Sequence, residues 1–187
     1  GLMEALSTQL HISPVLAQVL ANRGIADVRA GDHFLHNTLA DMADPFLMKG
    51  MENAVIRLEQ AITEKQRIVI YGDYDVDGIT STSLVYSVLR DLGASPQFYI
   101  PERESEGYGL NEGALEQLSR QADLLITVDC GITANQEAAL CRELGMELVI
   151  TDHHECKSDL PEAVAVVDPH RKEQPEPILE MAGVGVA

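Results

Sequence analysis

Short apolar runs rich in β-branched residues alternate with amphipathic helical patterns from about residue 49 to residue 167. Runs of about four to six such residues indicate buried strands, and the stretches of about 10 to 15 residues between them repeat apolar positions with a helical period. Strands joined by helices of this length run parallel in one sheet, and the helices cover both of its faces. The sequence therefore predicts an α/β fold with a mainly parallel sheet of about five strands.

The predicted elements divide the chain into two parts. Strands are predicted at residues 67–71, 96–100, 123–128, 146–150 and 163–167, and helices at residues 51–65, 79–93, 111–121 and 134–145. A short helical segment of residues 1–48 precedes this domain, which covers residues 49–187. In the helical segment, Ser13 and Pro14 predict the N-cap and the first position of a helix.

Two features lie near the C-terminal end. The sequence QPEP indicates a loop at residues 174–177. The last six residues, AGVGVA, stop within an apolar run before a helix or strand is complete. We therefore expect the domain to be truncated at its C-terminal end.

The chain is strongly acidic, with 30 acidic residues against 13 basic residues and a formal net charge of −17. A general nucleic-acid surface needs clustered Lys and Arg, so the charge argues against one, although a local basic groove or a site where metal ions contact phosphates stays open. An acidic surface is also an ordinary property of a soluble protein. Three cysteines without a CxxC pair, and no signal peptide, favour a cytoplasmic location. No apolar run approaches the length of a membrane span.

Polar, ionisable side chains follow three of the predicted strands. GDYDVDG (72–78) follows the first strand, VDCGITA (128–134) the third and TDHHE (151–155) the fourth. Because open α/β sheets bind ligands beyond the carboxyl ends of their strands, we expect these segments to meet at one edge of the sheet. The candidate site residues are Asp75, Asp77, Asp129, Asp152, His153 and His154.

Each of these segments also has a purely structural interpretation. Asp-x-Asp-Gly after a strand is typical of a turn with an N-cap, and Asp-Cys-Gly by itself is typical of a turn. Adjacent histidines on a loop are commonly solvated. The occurrence of all three segments at equivalent strand ends favours a shared site.

The residue types in these segments favour a divalent cation. Carboxylates suit Mg²⁺ and Mn²⁺, and imidazole shifts the preference towards Mn²⁺. Cys130 makes zinc an alternative, but one thiol without a spaced partner is a weak zinc signal, and a small buried side chain is the simpler interpretation. A carboxylate that bridges two ions would allow two-metal hydrolysis of a phosphoester. Bound ions would also offset the mutual repulsion of Asp73, Asp75 and Asp77.

Several ordered motifs resemble a known family. DYDVDG, TVDCGITA and TDHH occur in the order and spacing of the DHH phosphoesterase superfamily, which is named for Asp-His-His. Within that superfamily, YIPERESEGYGLN (99–111), PEAVAVVDP (161–169) and the terminal AGVGVA are similar to the RecJ family of bacterial single-strand-specific exonucleases. The resemblance covers nearly the whole chain.

The resemblance implies roles for individual residues. Metal ligands are expected at Asp75, Asp77, Asp129 and His153, with Asp129 as the bridge between two ions. Asp73 is expected to be a structural turn residue. Some members of the superfamily carry a metal-binding histidine at the position of Tyr71, so the resemblance implies a looser shell around the first ion here.

Further roles follow from the same resemblance. His154 and Asp152 are expected to serve catalysis: His154 faces the substrate phosphate or a metal-bound water, and Asp152 orients His153 through the far nitrogen of its ring. Tyr108 lies in a loop on the rim of the cleft, where it stacks or packs. Arg103 meets a phosphate or is an ordinary surface arginine.

The function implied by the resemblance is metal-dependent phosphodiester hydrolysis. The enzyme would remove nucleotides from the 5′ end of single-stranded DNA in repair and recombination, with Mn²⁺ or Mg²⁺ as cofactor and with a single-strand-binding protein and a helicase as partners. Family members carry a further metal-binding aspartate and a second, phosphate-binding domain after AGVGVA, and Asp168 is placed in a structural turn. We therefore expect this chain to bind Mn²⁺ weakly and to show little or no nuclease activity by itself.

Two other functions stay open. One is a DHH phosphodiesterase that acts on short oligonucleotides or cyclic dinucleotides, although the long helical lead-in and the 99–111 segment argue against it. The other is a non-catalytic binding module with the DHH fold, although the presence of the four expected metal ligands argues against that.

Overall fold

A computed structural model describes residues 1–157, 159–172, 174–175 and 181–187. The chain forms two compact units, Gly1–Ala43 and Asp44–Ala187. The division between residues 1–48 and 49–187 that the sequence suggested stays a prediction. Residues 176 and 177 of the predicted QPEP loop lie outside the described residues.

The first unit is helical. It contains α1 (Leu2–Gln9), α2 (Pro14–Asn22), α3 (Val28–His36) and a 3₁₀ turn at Leu39–Asp41. The predicted start of α2 is confirmed, because Ser13 Oγ accepts a hydrogen bond from the N–H of Leu16 at 3.2 Å and Pro14 is the first helical residue. Leu6, Ala17 and Leu20 form the buried core between these helices.

The second unit is built on a five-stranded sheet with the order β2-β1-β3-β4-β5. The strands are β1 (Ile68–Tyr71), β2 (Gln97–Tyr99), β3 (Leu124–Val128), β4 (Glu147–Thr151) and β5 (Ala165–Val167). The helices described in this unit are a 3₁₀ turn at Pro45–Leu47, α4 (Met51–Thr63), α5 (Val76–Asp91), α6 (Glu112–Leu118), α7 (Asn135–Glu143) and α8 (Gly183–Val186). All four pairs of neighbouring strands are parallel, which confirms the predicted fold class.

Both faces of the sheet are covered. Every residue of β1 and β3 is buried, and side chains alternate between the two faces of a strand. On one face, Val69, Tyr71 and Leu125 pack in a cluster with residues of α6 and α7. Helices α4 and α5 contact the sheet without contributing to that cluster, which places them on the opposite face.

One helix boundary differs from the prediction in a way that matters for the site. The predicted start of a helix at residue 79 is wrong, because α5 begins at Val76. Asp75 caps the helix, so the chain enters the helical conformation as soon as its carboxylate can accept hydrogen bonds from the first turn. Asp77 therefore belongs to the first helical turn and not to a loop.

Among the described residues, none of the helices combines the length and the apolar character needed to cross a membrane.

Candidate metal centre

The three polar segments lie beyond the carboxyl ends of neighbouring strands. The chain passes from β1 to β2 on one side of β1 and then to β3 on its other side, so the topological switch lies between β1 and β3. Ligands of open α/β sheets bind at such a switch. The aspartate motif follows β1, Asp129 follows β3, and the Asp-His-His motif follows β4, which is the next strand.

Asp75 and Asp77 are positioned by the start of α5. Asp75 Oδ1 accepts hydrogen bonds from the N–H groups of Asp77 at 2.8 Å and Gly78 at 3.0 Å. These bonds, first of all the one from Gly78, lower the pKa of Asp75, so it stays ionised. The turn before them is tight, because a Cβ on Gly78 would lie 2.6 Å from the carbonyl carbon of Asp73. Asp77 Oδ2 points across the site and lies 3.8 Å from Nε2 of His153.

Asp129 lies at the centre of the site in an unusual backbone conformation. Its φ of 62° falls in the left-handed region that few residues other than glycine adopt. The residue is only 2% exposed. Its Oδ1 lies 3.1 Å from His153 Nε2, but among the described residues this oxygen accepts no hydrogen bond of good geometry. Burial, followed by the charge of Asp75, raises the pKa of Asp129 to about 7. A cation would stabilise such a carboxylate in its ionised form.

Asp73 is the first aspartate of the motif that follows β1. Its carboxylate is buried, and Oδ1 has no hydrogen-bond partner in the described part of the chain. Burial raises the pKa of Asp73. One of its oxygens lies close to ligand atoms of Asp75 and Asp129. The expected role of Asp73 in a structural turn stays a prediction, and these contacts make Asp73 a further candidate ligand.

Asp152 anchors the Asp-His-His segment. Its buried carboxylate accepts hydrogen bonds from the N–H groups of Ile132 at 2.9 Å and His153 at 2.7 Å, and Oδ1 lies 2.7 Å from Nδ1 of His154. The predicted contact between Asp152 and the ring of His153 is therefore wrong. The ring of His153 points towards β3, where its Nε2 meets Asp129, and the short side chain of Asp152 reaches the ring of His154 instead.

The ring of His154 is held by Asp152 and is accessible to solvent. Burial lowers the pKa of His154, but the hydrogen bond to Asp152 and the charge of Asp152 outweigh burial, so its pKa is raised overall. The hydroxyl of Tyr108 lies 3.1 Å from the same Nδ1, and the two rings meet edge to face. The side chain of His154 is 46% exposed, so its ring can contact a bound molecule.

The loop between β2 and α6 forms a rim beside the site. The hydroxyl of Tyr71 donates a hydrogen bond to the carbonyl oxygen of Gly109 at 3.0 Å and accepts one from Asn111 Nδ2 at 3.1 Å. The side chain of Tyr71 thus anchors the rim loop. Arg103 on the same loop lies 5.2 Å from the ring centre of Tyr74, a cation–π contact beside the aspartate motif.

Two groups of potential ligand atoms share Asp129. Atoms within 4.8 Å of one another come from Asp129, His153 and His154 in one group and from Asp73, Asp75 and Asp129 in the other. Oxygen and imidazole donors fit Mn²⁺ or Mg²⁺. The buried oxygens of Asp73 and Asp129 that have no partner among the described residues are acceptors that a cation would satisfy.

Asp168, at the end of β5, belongs to neither group among the described residues. It is buried, and its Oδ1 accepts a hydrogen bond from the N–H of His170 at 2.6 Å. Burial raises the pKa of Asp168 to about 6.

Comparison with known proteins places this site in a family. Residues 67–187 match the model of the DHH family, N-terminal domain. The chain is 47% identical over 186 residues to the single-stranded-DNA-specific exonuclease RecJ of Bacillus subtilis, an alignment that covers 99% of this chain and 24% of the relative. The chain therefore spans about a quarter of the length of this curated relative.

Solved structures agree with the sequence match. The structure of RecJ in complex with Mn²⁺ from Thermus thermophilus is 30% identical with a TM-score of 0.73, and covers 99% of this chain and 25% of that chain. A crystal structure of exonuclease RecJ bound to manganese is 36% identical with a TM-score of 0.67, and covers 77% of this chain and 37% of that chain. Because the family model extends over more than half of its residues, including all three polar segments, this chain belongs to the DHH family.

Proposed function

We propose that this chain is the metal-binding part of an enzyme that hydrolyses phosphodiester bonds of single-stranded DNA from the 5′ end, with Mn²⁺ or Mg²⁺ as cofactor. The observation that carries the proposal is the pair of ligand groups that share Asp129. The substrate is supported by the relative in Bacillus subtilis, which is a single-stranded-DNA-specific exonuclease. The choice of ion is supported by two RecJ structures that contain manganese.

In this proposal Asp75, Asp77, Asp129 and His153 hold the ions, and Asp73 joins them. Divalent ions at this position supply Lewis-acid stabilisation of negative charge on the phosphodiester. Asp129 belongs to both ligand groups, so it contributes to the binding of each ion.

The remaining polar residues of the site act on the DNA. Asp152 fixes the ring of His154 and raises its pKa, so His154 is able to donate a hydrogen bond or a proton to a phosphate oxygen. Tyr108, which is 53% exposed, offers a ring on which a base of a single strand can stack. Arg103 supplies a positive charge on the rim for a backbone phosphate.

The proposal extends to the organisation and setting of the protein. Residues 49–187 form the DHH catalytic domain, and residues 1–48 form its helical lead-in. The protein acts in the cytoplasm in DNA repair and recombination, beside a single-strand-binding protein and a helicase. These statements rest on the similarity to the RecJ proteins and on the cysteine pattern of the sequence.

The test combines metal binding with hydrolysis. Isothermal titration with Mn²⁺ is expected to give saturable binding by the wild-type chain, with much weaker binding by Asp129→Asn and unchanged binding by the control Asp123→Asn. Single-stranded and duplex oligonucleotides labelled at either end then test the substrate. We expect only weak hydrolysis by this chain alone, and its Mn²⁺-dependent product should be the 5′ label released from the single strand.

Other outcomes would contradict the proposal. Hydrolysis of a cyclic dinucleotide or a dinucleotide but not of a longer single strand would indicate a phosphodiesterase of small substrates. Mn²⁺ binding that is the same in the wild type and in Asp129→Asn would indicate a binding module without the proposed metal centre.

A further inference from the structure

We propose that Gly183 is a positioning residue of the metal centre: its backbone N–H orients the carboxylate of Asp77, and its lack of a side chain allows α8 to close against Asp129. The inference rests on the proposed function, because it concerns the same metal centre. The inference assigns a role in the metal centre to α8, whose residues have no metal-binding side chains.

The first observation is a hydrogen bond between distant parts of the chain. The N–H of Gly183, the first residue of α8, donates to Asp77 Oδ2 at 3.3 Å. The same carboxylate oxygen lies 3.8 Å from Nε2 of His153. The N–H of Gly183 therefore restricts rotation of the Asp77 carboxylate and holds one of its oxygens towards the imidazole.

The second observation is the space around Gly183. A Cβ at this position would lie 2.9 Å from Cγ of Asp129 and closer still to Oδ1. Asp129 is buried and cannot rotate its carboxylate into solvent. A side chain at residue 183 must therefore displace either the Asp129 carboxylate or α8 itself. The first change moves a residue common to both ligand groups, and the second removes the hydrogen bond to Asp77.

The third observation is that α8 is docked on the helix that carries Asp77. Helix α8 contacts α5, and Val186 on α8 is buried. Asp77 lies in the first turn of α5. The anchor at Val186 and the hydrogen bond from Gly183 thus hold the same helix pair, so a shift of α8 is transmitted to Asp77.

Gly185 provides a matched control in the same helix. It is exposed, and a Cβ there would have Met181 as its nearest contact, at 3.4 Å from the end of that side chain. Gly185→Ala makes the same chemical change two residues away with the same gain in helix propensity. The two substitutions therefore differ in their relation to Asp129 and Asp77.

The experiment measures Mn²⁺ affinity by electron paramagnetic resonance on the 187-residue chain, together with thermal unfolding of the metal-free protein. We expect Gly183→Ala to weaken Mn²⁺ binding about tenfold or more, as is typical when a group that orients a ligand is lost. Gly185→Ala is expected to bind Mn²⁺ like the wild type. The metal-free midpoint of each variant shows whether it folds, so a loss of Mn²⁺ affinity is assigned to the metal centre only in a variant that unfolds cooperatively.

A second variant keeps the inference testable if Gly183→Ala does not fold. Val186→Ala loosens the anchor of α8 without adding an atom near Asp129, and a smaller loss of Mn²⁺ affinity is expected. Wild-type affinity in Gly183→Ala, or in Val186→Ala when the first variant is unfolded, would overturn the inference and leave the proposed metal centre standing. Absence of Mn²⁺ binding by the wild-type chain would overturn both.

Discussion

Asp123 precedes β3 and Asp129 follows it, so the two aspartates stand at opposite ends of the same buried strand. Asp123 Oδ1 lies 2.6 Å from Arg67 Nη2. Mainly because of this side-chain hydrogen bond, the pKa of Asp123 is lowered to about 2. Within the described part of the chain, Asp129 pairs with no basic residue other than the histidines of the site, and burial raises its pKa to about 7. The same residue type serves the fold at one end of the strand and leaves an unsatisfied charge at the other.

The contrast extends to the neighbouring strand. At the amino end of β4, Glu147 accepts hydrogen bonds from the buried guanidinium of Arg57. At the carboxyl end, the charge of Asp152 is shared with His154. Arginines thus pair with the acids at the amino edge of the sheet, whereas the carboxyl edge gathers acids and imidazoles. The difference indicates that the carboxyl edge is built for a cation that the protein itself does not supply.

The largest effect on Mn²⁺ affinity is expected from Asp129→Asn, and Asp123→Asn at the other end of β3 is its control. Asp129→Asn keeps the shape of the side chain and tolerates the left-handed backbone, but it removes the central charge, so Mn²⁺ affinity should fall more than about 100-fold. Asp123→Asn is expected to leave Mn²⁺ affinity unchanged. Isothermal titration checks both values, and equal losses in the two variants would remove the distinction between the two ends.

The pH dependence of stability should separate the same two residues. Because the pKa of Asp129 is raised in the folded state, the folded chain binds more protons than the unfolded chain between about pH 4 and pH 7. The free energy of unfolding of the metal-free chain is therefore expected to fall with rising pH over this range, by about 4 kcal/mol from Asp129.

Urea unfolding at several pH values measures this slope. Asp129→Asn should make the slope smaller but not zero, because Asp168 also has a raised pKa. Asp123 behaves in the opposite sense: its lowered pKa gives stability above its unfolded pKa that is lost as the pH falls towards 2. A slope that is the same in the wild type and in Asp129→Asn would contradict the assignment.

At the amino edge, Arg57→Met should reduce stability without changing metal binding. Arg57 is 5% exposed and its guanidinium donates to Glu147 and Gln66. Loss of charge-assisted hydrogen bonds to a partly exposed carboxylate is expected to cost about 1.5 kcal/mol. Urea unfolding measures the free energy of unfolding of this variant. A change in its Mn²⁺ affinity beyond experimental error would show that the two edges of the sheet are coupled.

The smallest effect is expected for Arg67→Met. Arg67 is bound to Asp123, but both side chains are partly exposed to solvent, which screens their attraction. The expected loss of stability is smaller than that of Arg57→Met. A double-mutant cycle with Asp123→Asn isolates the pair, and a coupling energy larger than the effect of Arg57→Met would mean that the pair is more important for the fold than its exposure indicates.

The strands were predictable because each is a short run of mainly apolar residues bounded by polar residues, glycine or proline. The observed strands lie within or close to their predicted ranges. The start of α5 was not predicted, because apolar periodicity begins after the first turn, whereas Asp75 starts the helix by capping its N–H groups. The apolar pattern does not predict this helix start, because it depends on hydrogen bonds to the side chain of Asp75, which was also a candidate metal ligand.

The site was predictable in its location but not in its contacts. Parallel strands bring their carboxyl ends together, so the meeting of Asp75, Asp129 and His153 follows from topology. Which imidazole Asp152 contacts depends on the directions of two adjacent side chains, and sequence adjacency leaves that open. The role proposed for Gly183 arises from a contact with a residue more than 100 positions away and carries no signal in the local sequence.

The account is tested most directly by anomalous X-ray diffraction from crystals of the protein grown with Mn²⁺. The predicted result is an anomalous peak at the carboxyl ends of β1 and β3 with Asp129 among the ligands, and no peak beside Asp123 at the amino end of β3. Anomalous peaks confined to other acidic surfaces, or a carboxyl edge without manganese at saturating Mn²⁺, would contradict the claim that these carboxylates form a metal centre.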